Sequence, residues 1–522
     1  GMLTQNLEYI FFTGLFFVIA AIFILASRRY LKAWLTREDK PFGLRGYAVH
    51  VAVFIFSALI MFAGMRGRVR ELPIKWSDAY FSIYPFPNQM GLNANYTLLN
   101  SYLIEKKSKN PNFDYMNDKV AFNKVQQFLN ISGKDFDSPI ARIENLNETP
   151  KKHNVVLIFM ESMSVGFLGS SGKYNPSITP FLDKLKDSSV FFPKFFADGI
   201  HTFNGVWSVL TSMPSIPDEL CPMSKLENAQ RFAGFPSVLQ QNGYSTFFAC
   251  PHDAEFDNIG GFAKLNGYEK VSSQLDFLSD DYTNNWGVSD HTLFEKNFDY
   301  LNTMYSTGKP FFATFLTVSN HGPYKMPKTL PPGFKPRGDN VMNDVIRYCD
   351  ASLKAFIEKA KKAPWFDNTI FVLVADHGRV MNPIYENDYW HKHIPLYIYA
   401  PKILAPQVMS GYGQQIDIFP TVMDLLKIKY VNNTLGINLF KQQRDFAYFS
   451  ANFDIGAIDD NYFFWHFKTK NKALYDYKRQ AKENYITMYP NYGDRYEDFA
   501  KSMYQTEKWM IKNRKVGPIK VK

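Results

Sequence analysis

Two long apolar runs near the amino terminus predict membrane-spanning helices. They cover Tyr9 to Ala26 and Tyr47 to Met65, and neither contains Asp, Glu, Lys or Arg. Each is close to the ~20 residues that a helix needs to cross a bilayer. A pair of buried core helices is the alternative, but the unbroken apolar length favours membrane spans. Because Gly1 precedes Met2, we expect native sequence upstream, so two spans is a minimum.

The segment between the two runs is strongly basic. It contains the cations Arg28, Arg29, Lys32, Arg37, Lys40 and Arg45. They are opposed only by Glu38 and Asp39. The positive-inside rule therefore places this segment in the cytoplasm and everything after Met65 on the extracytoplasmic side.

After residue 150 the pattern changes to short apolar runs that alternate with amphipathic stretches. The runs are Asn154 to Met160, Tyr244 to Cys250, Pro310 to Ser319, Thr369 to Ala375 and Ile394 to Ala400. Alternation of this kind predicts an α/β fold with a mostly parallel central sheet and helices on both faces. We expect four regions: transmembrane helices in 1–66, a juxtamembrane connector in 67–150, a catalytic domain in 151–440, and a small antiparallel sheet with a final helix in 441–522.

Polar side chains follow the predicted strands at the points where ligands gather in parallel sheets. Glu161 follows the first strand, His252 the second, His321 the third, and Asp376 with His377 the fourth. The fifth strand is instead preceded by its polar pair, His391 and His393. Each histidine alone would be an ordinary loop residue, but their joint placement favours a site.

Glu161, Asp376 and His377 supply two carboxylates and one imidazole, a donor set suited to Mn²⁺, Mg²⁺ or Zn²⁺. Thr202 is the candidate fourth ligand. It lies in a loop leading into a helix that we expect to start near Asn204, where the positive helix terminus attracts anions. The alternative role for Thr202 is that of an N-cap hydroxyl.

Composition excludes several classes of protein. The net charge is +10, but the Lys and Arg residues are dispersed and no nucleic-acid module is visible, so we expect no nucleic-acid partner. The three cysteines, Cys221, Cys250 and Cys349, lie far apart and form no metal-binding pair.

Several short motifs occur in a particular order along the chain. They are Glu161-Ser162, Thr179-Pro180, Asp198 to Thr202, Ser319 to Tyr324, and Asp376-His377-Gly378. Further motifs are Trp286 to Asp290, the His393 to Pro401 segment, Asp417 to Thr421, and Leu474 to Asp476. In this order they resemble the lipoteichoic acid synthase branch of the alkaline phosphatase and sulfatase superfamily. The resemblance covers roughly residues 151–486. One departure is Phe256 to Ile259, where that branch carries a Trp and an Arg in a headgroup pocket.

The resemblance implies a role for each candidate residue. Thr202 would be the nucleophile, and Glu161, Thr202, Asp376 and His377 would hold one divalent metal, manganese by preference, with magnesium or zinc as alternatives. His321 and His393 would hold the anionic group and assist the leaving oxygen. His252 and Asn204 are further candidates for substrate contact, and the choice between His391 and His393 stays open, with His393 favoured by the motif.

The implied function is a metal-dependent transferase in a bacterial-type cell membrane, with its catalytic domain outside the cytoplasm. It would move a phosphoglycerol or phosphoethanolamine headgroup through a phosphothreonine on Thr202. Its partners would be a phospholipid donor and a membrane or envelope acceptor alcohol. A phosphodiesterase, phosphatase or sulfatase-like hydrolase of the same fold is the second hypothesis. The third is a non-catalytic membrane-anchored binding protein.

Overall fold

The chain divides into two compact units, Gly1–Ile74 and Lys75–Lys522. The computed structural model describes residues 18, 21–30, 32, 43–66, 115–131, 136–218, 221–225, 228–273, 276–278, 281–284, 286–381, 383–469 and 471–520. Most of the first apolar run, Tyr9 to Ala26, and most of the connector expected in 67–150 lie outside these residues. The predicted domain boundaries therefore stay a prediction.

In the first unit, residues 21–30 are helical, and helix α1 spans Leu44–Arg66. Within α1, Leu44–Phe62 is the one stretch of the described residues that is long and apolar enough to cross a membrane. Its 19 residues would extend ~28 Å at ~1.5 Å per residue. None of the apolar side chains in this stretch is buried, which distinguishes α1 from a core helix.

The second unit contains nine α-helices among the described residues. They are α2 (Asp118–Phe128), α3 (Pro180–Leu185), α4 (Thr202–Thr211), α5 (Phe235–Gln241), α6 (Ile259–Leu265), α7 (Asp290–Ser306), α8 (Val341–Ala360), α9 (Ile418–Leu426) and α10 (Pro490–Lys512). Helix α2 lies within residues 67–150, the segment expected to be a connector.

Seventeen strands are present in the same part of the chain. They are β1 (Arg142–Glu144), β2 (Asn154–Met160), β3 (Val190–Phe196), β4 (Ser245–Ala249), β5 (Lys270–Ser272), β6 (Tyr282–Asn284), β7 (Gly287–Val288), β8 (Phe311–Leu316), β9 (Thr369–Ala375), β10 (His393–Tyr399), β11 (Gln407–Val408), β12 (Gly413–Gln414), β13 (Tyr430–Asn432), β14 (Ala447–Ala451), β15 (Asp454–Ile458), β16 (Phe463–His466) and β17 (Lys472–Tyr475).

The central sheet has nine strands in the order β11-β3-β10-β9-β2-β8-β4-β5, with β12 also paired to β3. The strands from β9 to β5 in this order are parallel, whereas β10 runs antiparallel to both β9 and β3. Strands β14 to β17 form a separate antiparallel sheet. The predicted fold class, a mostly parallel central sheet with a small C-terminal antiparallel sheet, is confirmed.

The reversed direction of β10 explains the unusual position of its polar pair. Because β10 is antiparallel, its amino end lies at the same edge as the carboxyl ends of its parallel neighbours. His391 and His393 therefore reach the edge at which the other strands end in Glu161 and Asp376. That edge is where a parallel sheet gathers its ligands.

The register between β2 and β9 places the two carboxylates side by side. These strands pair in parallel from Asn154 opposite Thr369 to Met160 opposite Ala375, and every residue in both is buried. The next residue on each strand is an acid, Glu161 and Asp376 respectively. Two adjacent strands that end in step thus deliver two acids to one point.

Strand β3 was not predicted, because Pro193 interrupts its apolar run. Proline has no N–H to donate and is rare inside a sheet. The pairing of β10 with β3 shifts register between Ile394 and Leu396, next to Pro395. The carbonyl oxygen of Pro193 instead lies 2.6 Å from Nε2 of His393.

A close backbone contact joins helix α4 to the end of β9. A Cβ atom at Gly205 would lie 2.1 Å from the carbonyl oxygen of Asp376. Gln415 links the same two loops, since its Nε2 donates to the carbonyl oxygens of Ala375 and Asp376 at 2.8 and 2.7 Å. Its Oε1 accepts from the N–H of Asp198 at 3.0 Å. Together these contacts hold the Thr202 end of α4 against the Asp376 end of β9.

Replacing Gly205 with alanine is expected to destabilise the fold. The added methyl group would meet backbone atoms that cannot rotate away, so we expect a loss of roughly 1–3 kcal/mol in the free energy of unfolding. Urea unfolding of the full chain in neutral detergent measures the change.

The matched control is Gly411→Ala, because a Cβ at Gly411 meets only the side chain of Gln443 at 3.6 Å or more. We expect that control to change stability by less than ~0.5 kcal/mol. Equal effects of the two substitutions would show that the contact between α4 and β9 is not tight.

Candidate active site

Three metal-ligating side chains meet at the carboxyl edge of the sheet. Glu161, Asp376 and His377 each offer a ligand atom, and these atoms all lie within 4.8 Å of one another. The two acids are buried and His377 is half-buried. Two carboxylates and one imidazole form a mixed donor set that suits Mn²⁺, Mg²⁺ or Zn²⁺.

Hydrogen bonds fix which atoms of Asp376 and His377 are available. Asp376 Oδ1 accepts from the backbone N–H groups of Ser162 and His377 at 2.8 and 2.7 Å. Its Oδ2 is buried and accepts no hydrogen bond from the described residues. Nδ1 of His377 lies 2.6 Å from the carbonyl oxygen of Gly378, which places the ring proton on Nδ1 and leaves Nε2 with a free lone pair.

The surroundings of Glu161 disfavour the charged form of its carboxyl group. Burial raises the pKa of its carboxyl well above the ordinary value, and the neighbouring Asp376 carboxylate raises it further, while the Ser162 hydroxyl opposes the shift. Two buried carboxylates this close repel each other unless a cation lies between them. The orphaned Asp376 oxygen, the bare His377 nitrogen and the paired acids therefore fit a divalent metal ion.

Thr202 lies at the same point, as the first residue of α4. Its Oγ1 lies 3.4 Å from Oε2 of Glu161, within hydrogen-bonding distance. The amino end of a helix carries partial positive charge, which favours anions there. The Thr202 hydroxyl thus lies beside one of the three candidate metal ligands and at a helix terminus that favours anions.

Asn204 shapes the turn that presents Thr202. Its Oδ1 accepts from the backbone N–H groups of Ile200 and His201 at 3.2 and 3.0 Å, and its Nδ2 donates to Ser215 Oγ at 2.5 Å. The side chain is only 5% exposed. These three bonds occupy Asn204 within the protein.

A second group of aromatic side chains follows β4 and β8. The rings of Trp286 and His321 lie 4.0 Å apart, and those of His252 and Phe256 lie 5.3 Å apart. Burial lowers the pKa of His252, and the nearby His321 lowers it further. Asn320, which precedes His321, donates to the carbonyl oxygen of Glu161 at 3.0 Å and so connects this group to the metal-ligating cluster.

His391 and His393 take different positions. The ring of His391 lies 5.5 Å from that of His377, and burial together with His377 lowers the pKa of His391 to about 2. Both ring nitrogens of His393 are in hydrogen bonds, with the Tyr389 hydroxyl at 2.6 Å and with the carbonyl oxygen of Pro193. The ring of His391, which the motif did not favour, is the one beside the cluster.

Two residues near the cluster were not predicted from the sequence. Gln415 positions both halves of the site but belongs to no motif, because its role depends entirely on the fold. Arg379 lies two residues after His377, and its guanidinium lies 4.6 Å above the ring of Tyr324. Its place directly after Asp-His-Gly was the only signal in the sequence.

The sequence matches the Sulfatase family model over residues 153–428. Lipoteichoic acid synthase 1 of Bacillus subtilis is 27% identical over 56% of this chain and 49% of its own length. Lipoteichoic acid synthase of Staphylococcus saprophyticus is 25% identical over 69% of this chain and 56% of its own length. The chain thus spans about half the length of the curated relatives it matches.

Two crystal structures share the fold. A protein of the alkaline phosphatase superfamily from Vibrio parahaemolyticus aligns with a TM-score of 0.66 at 23% identity, covering 77% of this chain and 98% of that one. The lipoteichoic acid synthase LtaP from Listeria monocytogenes aligns with a TM-score of 0.62 at 21% identity, covering 76% and 99%. With the family match extending over more than half of the 522 residues, the chain belongs to the sulfatase family, and within it the chain is similar to the lipoteichoic acid synthases.

Proposed function

We propose that this chain is a membrane-anchored, metal-dependent transferase that moves a phosphoglycerol-type headgroup from a phospholipid to an acceptor alcohol. The observation that carries the proposal is the contact of Thr202 Oγ1 with Glu161 Oε2, at 3.4 Å, at the amino end of α4. A hydroxyl needs a metal or a base to become a nucleophile, and here the metal-ligating cluster lies directly beside it. The similarity to lipoteichoic acid synthases supports phosphoglycerol as the transferred group.

The residues that would hold the metal are Glu161, Thr202, Asp376 and His377. Mn²⁺ is the preferred ion, with Mg²⁺ and Zn²⁺ as alternatives. Such an ion lowers the pKa of a hydroxyl and stabilises the charge on a transferring phosphoryl group. A single ion would be held by all four residues.

The reaction has two displacement steps at phosphorus. In the first, Thr202 Oγ bonds to phosphorus, the bond from phosphorus to the diacylglycerol oxygen breaks, and the proton lost by Thr202 is balanced by the one that diacylglycerol gains. In the second, the acceptor hydroxyl attacks the phosphothreonine, the bond from phosphorus to Thr202 Oγ breaks, and Thr202 recovers a proton. The helix terminus and the site imidazoles supply the positioning and charge stabilisation on which phosphoryl transfer depends.

We assign the headgroup pocket to the aromatic group around His252 and His321. Trp286 packs on His321 and supplies an indole ring next to it, while Phe256 packs on His252. His321 is the candidate to protonate the leaving oxygen. His391 lies beside His377. His393 is held in place near the start of β10 by its hydrogen bonds to Tyr389 and Pro193.

The phospholipid that donates the headgroup would be a component of the membrane that holds the enzyme. Helix α1 has the length and apolar surface of a span, and the basic segment before it supports a catalytic unit outside the cytoplasm. A tethered enzyme at that surface meets phospholipid headgroups and membrane-bound acceptors without diffusing through bulk water.

Incubation with headgroup-labelled phosphatidylglycerol in Mn²⁺ is expected to release diacylglycerol and to place the label on Thr202. The variant Thr202→Ala lacks the nucleophilic oxygen, so we expect diacylglycerol release to fall by at least ~10³-fold. Intact-mass and peptide mass spectrometry locate the label, and a parallel incubation with labelled phosphatidylethanolamine tests the alternative headgroup.

The control Thr303→Ala removes an exposed threonine hydroxyl from α7 and should leave the rate unchanged. Label that appears as free glycerol phosphate in the presence of an acceptor glycolipid would identify a hydrolase. Release of diacylglycerol by Thr202→Ala at the wild-type rate would overturn the proposed nucleophile.

Manganese is expected to raise the thermal stability of the wild-type chain but not that of Asp376→Asn. At a concentration 100 times the dissociation constant, an ion that binds only the folded state adds about 2.7 kcal/mol. Without metal, Asp376→Asn should be at least as stable as wild type, because the substitution removes the repulsion between Asp376 and Glu161. Thermal unfolding with Mn²⁺ and with EDTA measures both effects.

Asp187→Asn is the matched control, since Asp187 is an exposed acid outside the cluster. It should retain the full manganese shift. A manganese shift that survives in Asp376→Asn would place the metal elsewhere.

A further inference from the structure

A basic groove extends along helix α8 on the catalytic unit. Its cavity has a volume of about 910 Å³ and is lined by α3, the second half of α8 and residues 332–337. Eight cations line it: Lys184, Lys335, Arg337, Arg347, Lys354, Lys359, Lys361 and Lys362. Only three acids do so: Glu295, Asp350 and Glu358. We call this cavity the α8 groove.

The α8 groove continues beyond the end of the helix. A second cavity of about 320 Å³ shares Lys359 and Lys362 with it and reaches Pro364. From Arg347 to Ala360 the helix alone covers ~20 Å, at ~1.5 Å per residue. The combined concavity is therefore longer than one phosphate or one lipid headgroup.

The acids of the groove are engaged in contacts within the protein. Glu295 pairs with Lys359 at 2.6 Å, and Glu358 pairs with Lys361 at 2.7 Å. Asp350 accepts from the backbone N–H groups of Phe181 and Leu182 at 2.8 and 2.9 Å and so holds the start of α3.

Five of the cations are left with no ion pair and no side-chain hydrogen bond to any residue that the structure describes. They are Lys184, Lys335, Arg337, Lys354 and Lys362. Arg347 differs, because it pairs with Asp339 and Asp344 at 2.7 Å. Like charges lining one concavity repel each other and raise the local concentration of anions. A ligand with several negative charges would relieve that repulsion along the whole groove.

We propose that the α8 groove binds a linear polyanion, a chain of phosphodiesters without bases. Its concave shape favours a chain over a bilayer, whose flat surface would not reach the floor of the cavity. Nucleic acid is disfavoured because single strands bind by stacking on exposed aromatic rings. Of the three rings that line this groove, Tyr399 is buried, and Phe181 and Phe334 are half-buried and packed against the core.

The groove approaches the metal-ligating cluster through Tyr324. The Tyr324 ring packs with Phe334 around the buried residues Val345 and Tyr348. The guanidinium of Arg379, which is two residues after His377, lies 4.6 Å from the Tyr324 ring centre. Arg379 and Tyr324 thus link the metal-ligating cluster to a ring that packs with Phe334 of the groove. Identifying the polyanion as the growing acceptor of the transferase rests on the proposed function, whereas its binding does not.

Fluorescently labelled long-chain inorganic polyphosphate is the probe, used with the full chain in a neutral detergent over a range of salt concentrations. We expect wild-type protein to bind it with a steep salt dependence, as counterions are released. The triple variant Lys184→Glu, Arg337→Glu, Lys354→Glu should bind at least ~10-fold more weakly. The slope of the logarithm of its binding constant against the logarithm of the salt concentration should become shallower by roughly one for each phosphate that the protein no longer neutralises.

The matched control changes three exposed lysines outside the groove, Lys264→Glu, Lys402→Glu and Lys482→Glu, and alters the net charge equally. It should bind polyphosphate like wild type. Equal weakening in both triple variants would overturn the proposal, because net charge would then explain the binding. Single-stranded DNA of equal charge that binds more tightly than polyphosphate would replace the proposal with a nucleic-acid site, and recruitment to phosphatidylglycerol vesicles without polyphosphate binding would replace it with a bilayer site.

Thr202→Ala separates this proposal from the proposed function. The variant should bind polyphosphate with wild-type affinity, since Thr202 lies outside the groove. If Thr202→Ala kept full transferase activity while the groove variant failed to bind polyphosphate, the nucleophile would be wrong and the groove would stand.

Discussion

The geometry of the candidate site depends on the contact between the amino end of helix α4 and Asp376, the residue that follows strand β9. There the backbone of Gly205 approaches the carbonyl oxygen of Asp376 so closely that no Cβ fits, and Gln415 bonds to both sides of the contact. Thr202 is brought to Glu161 only because α4 lies in this place. The proposed nucleophile and the proposed metal ligands, which are far apart in sequence, are thereby held by backbone packing, which is stiffer than a contact between flexible side chains.

At the same edge of the sheet, two buried carboxyl groups interact unfavourably with each other. Strands β2 and β9 end in step, so their buried ends place two carboxylates together, and burial raises the pKa of Glu161. Sites where burial and like charges strain an ionisable group are characteristic of functional centres. Of the two strands that flank this pair, β8 is buried along its whole length and β10 is buried except at His393.

Much of this architecture follows from local sequence, and the remainder does not. Strands β2 and β9 were predicted with the bounds they have in the structure, because each is a continuous apolar run that stops at an acid. Strand β3 was missed because Pro193 breaks its run, although its partner β10 adapts with a shift in register. The acids and His377 could be proposed as neighbours from sheet geometry alone. The position of His391 could not, because His391 lies in the short turn before β10, where the alternation of a strand does not apply. The α8 groove could not, because its charges come from three separate segments.

The antiparallel direction of β10 has a consequence for how such enzymes diverge. The segment from Asp376 to His393 leaves one strand and enters its immediate neighbour at the same edge, so both of its ends are fixed by the sheet. Its length and content can change without altering the order of the strands. It carries the proposed metal ligands Asp376 and His377 at its start, and Arg379 and His391 further along. Changes confined to the residues between Gly378 and His391 would leave those ligands in place while altering the surroundings of the proposed site.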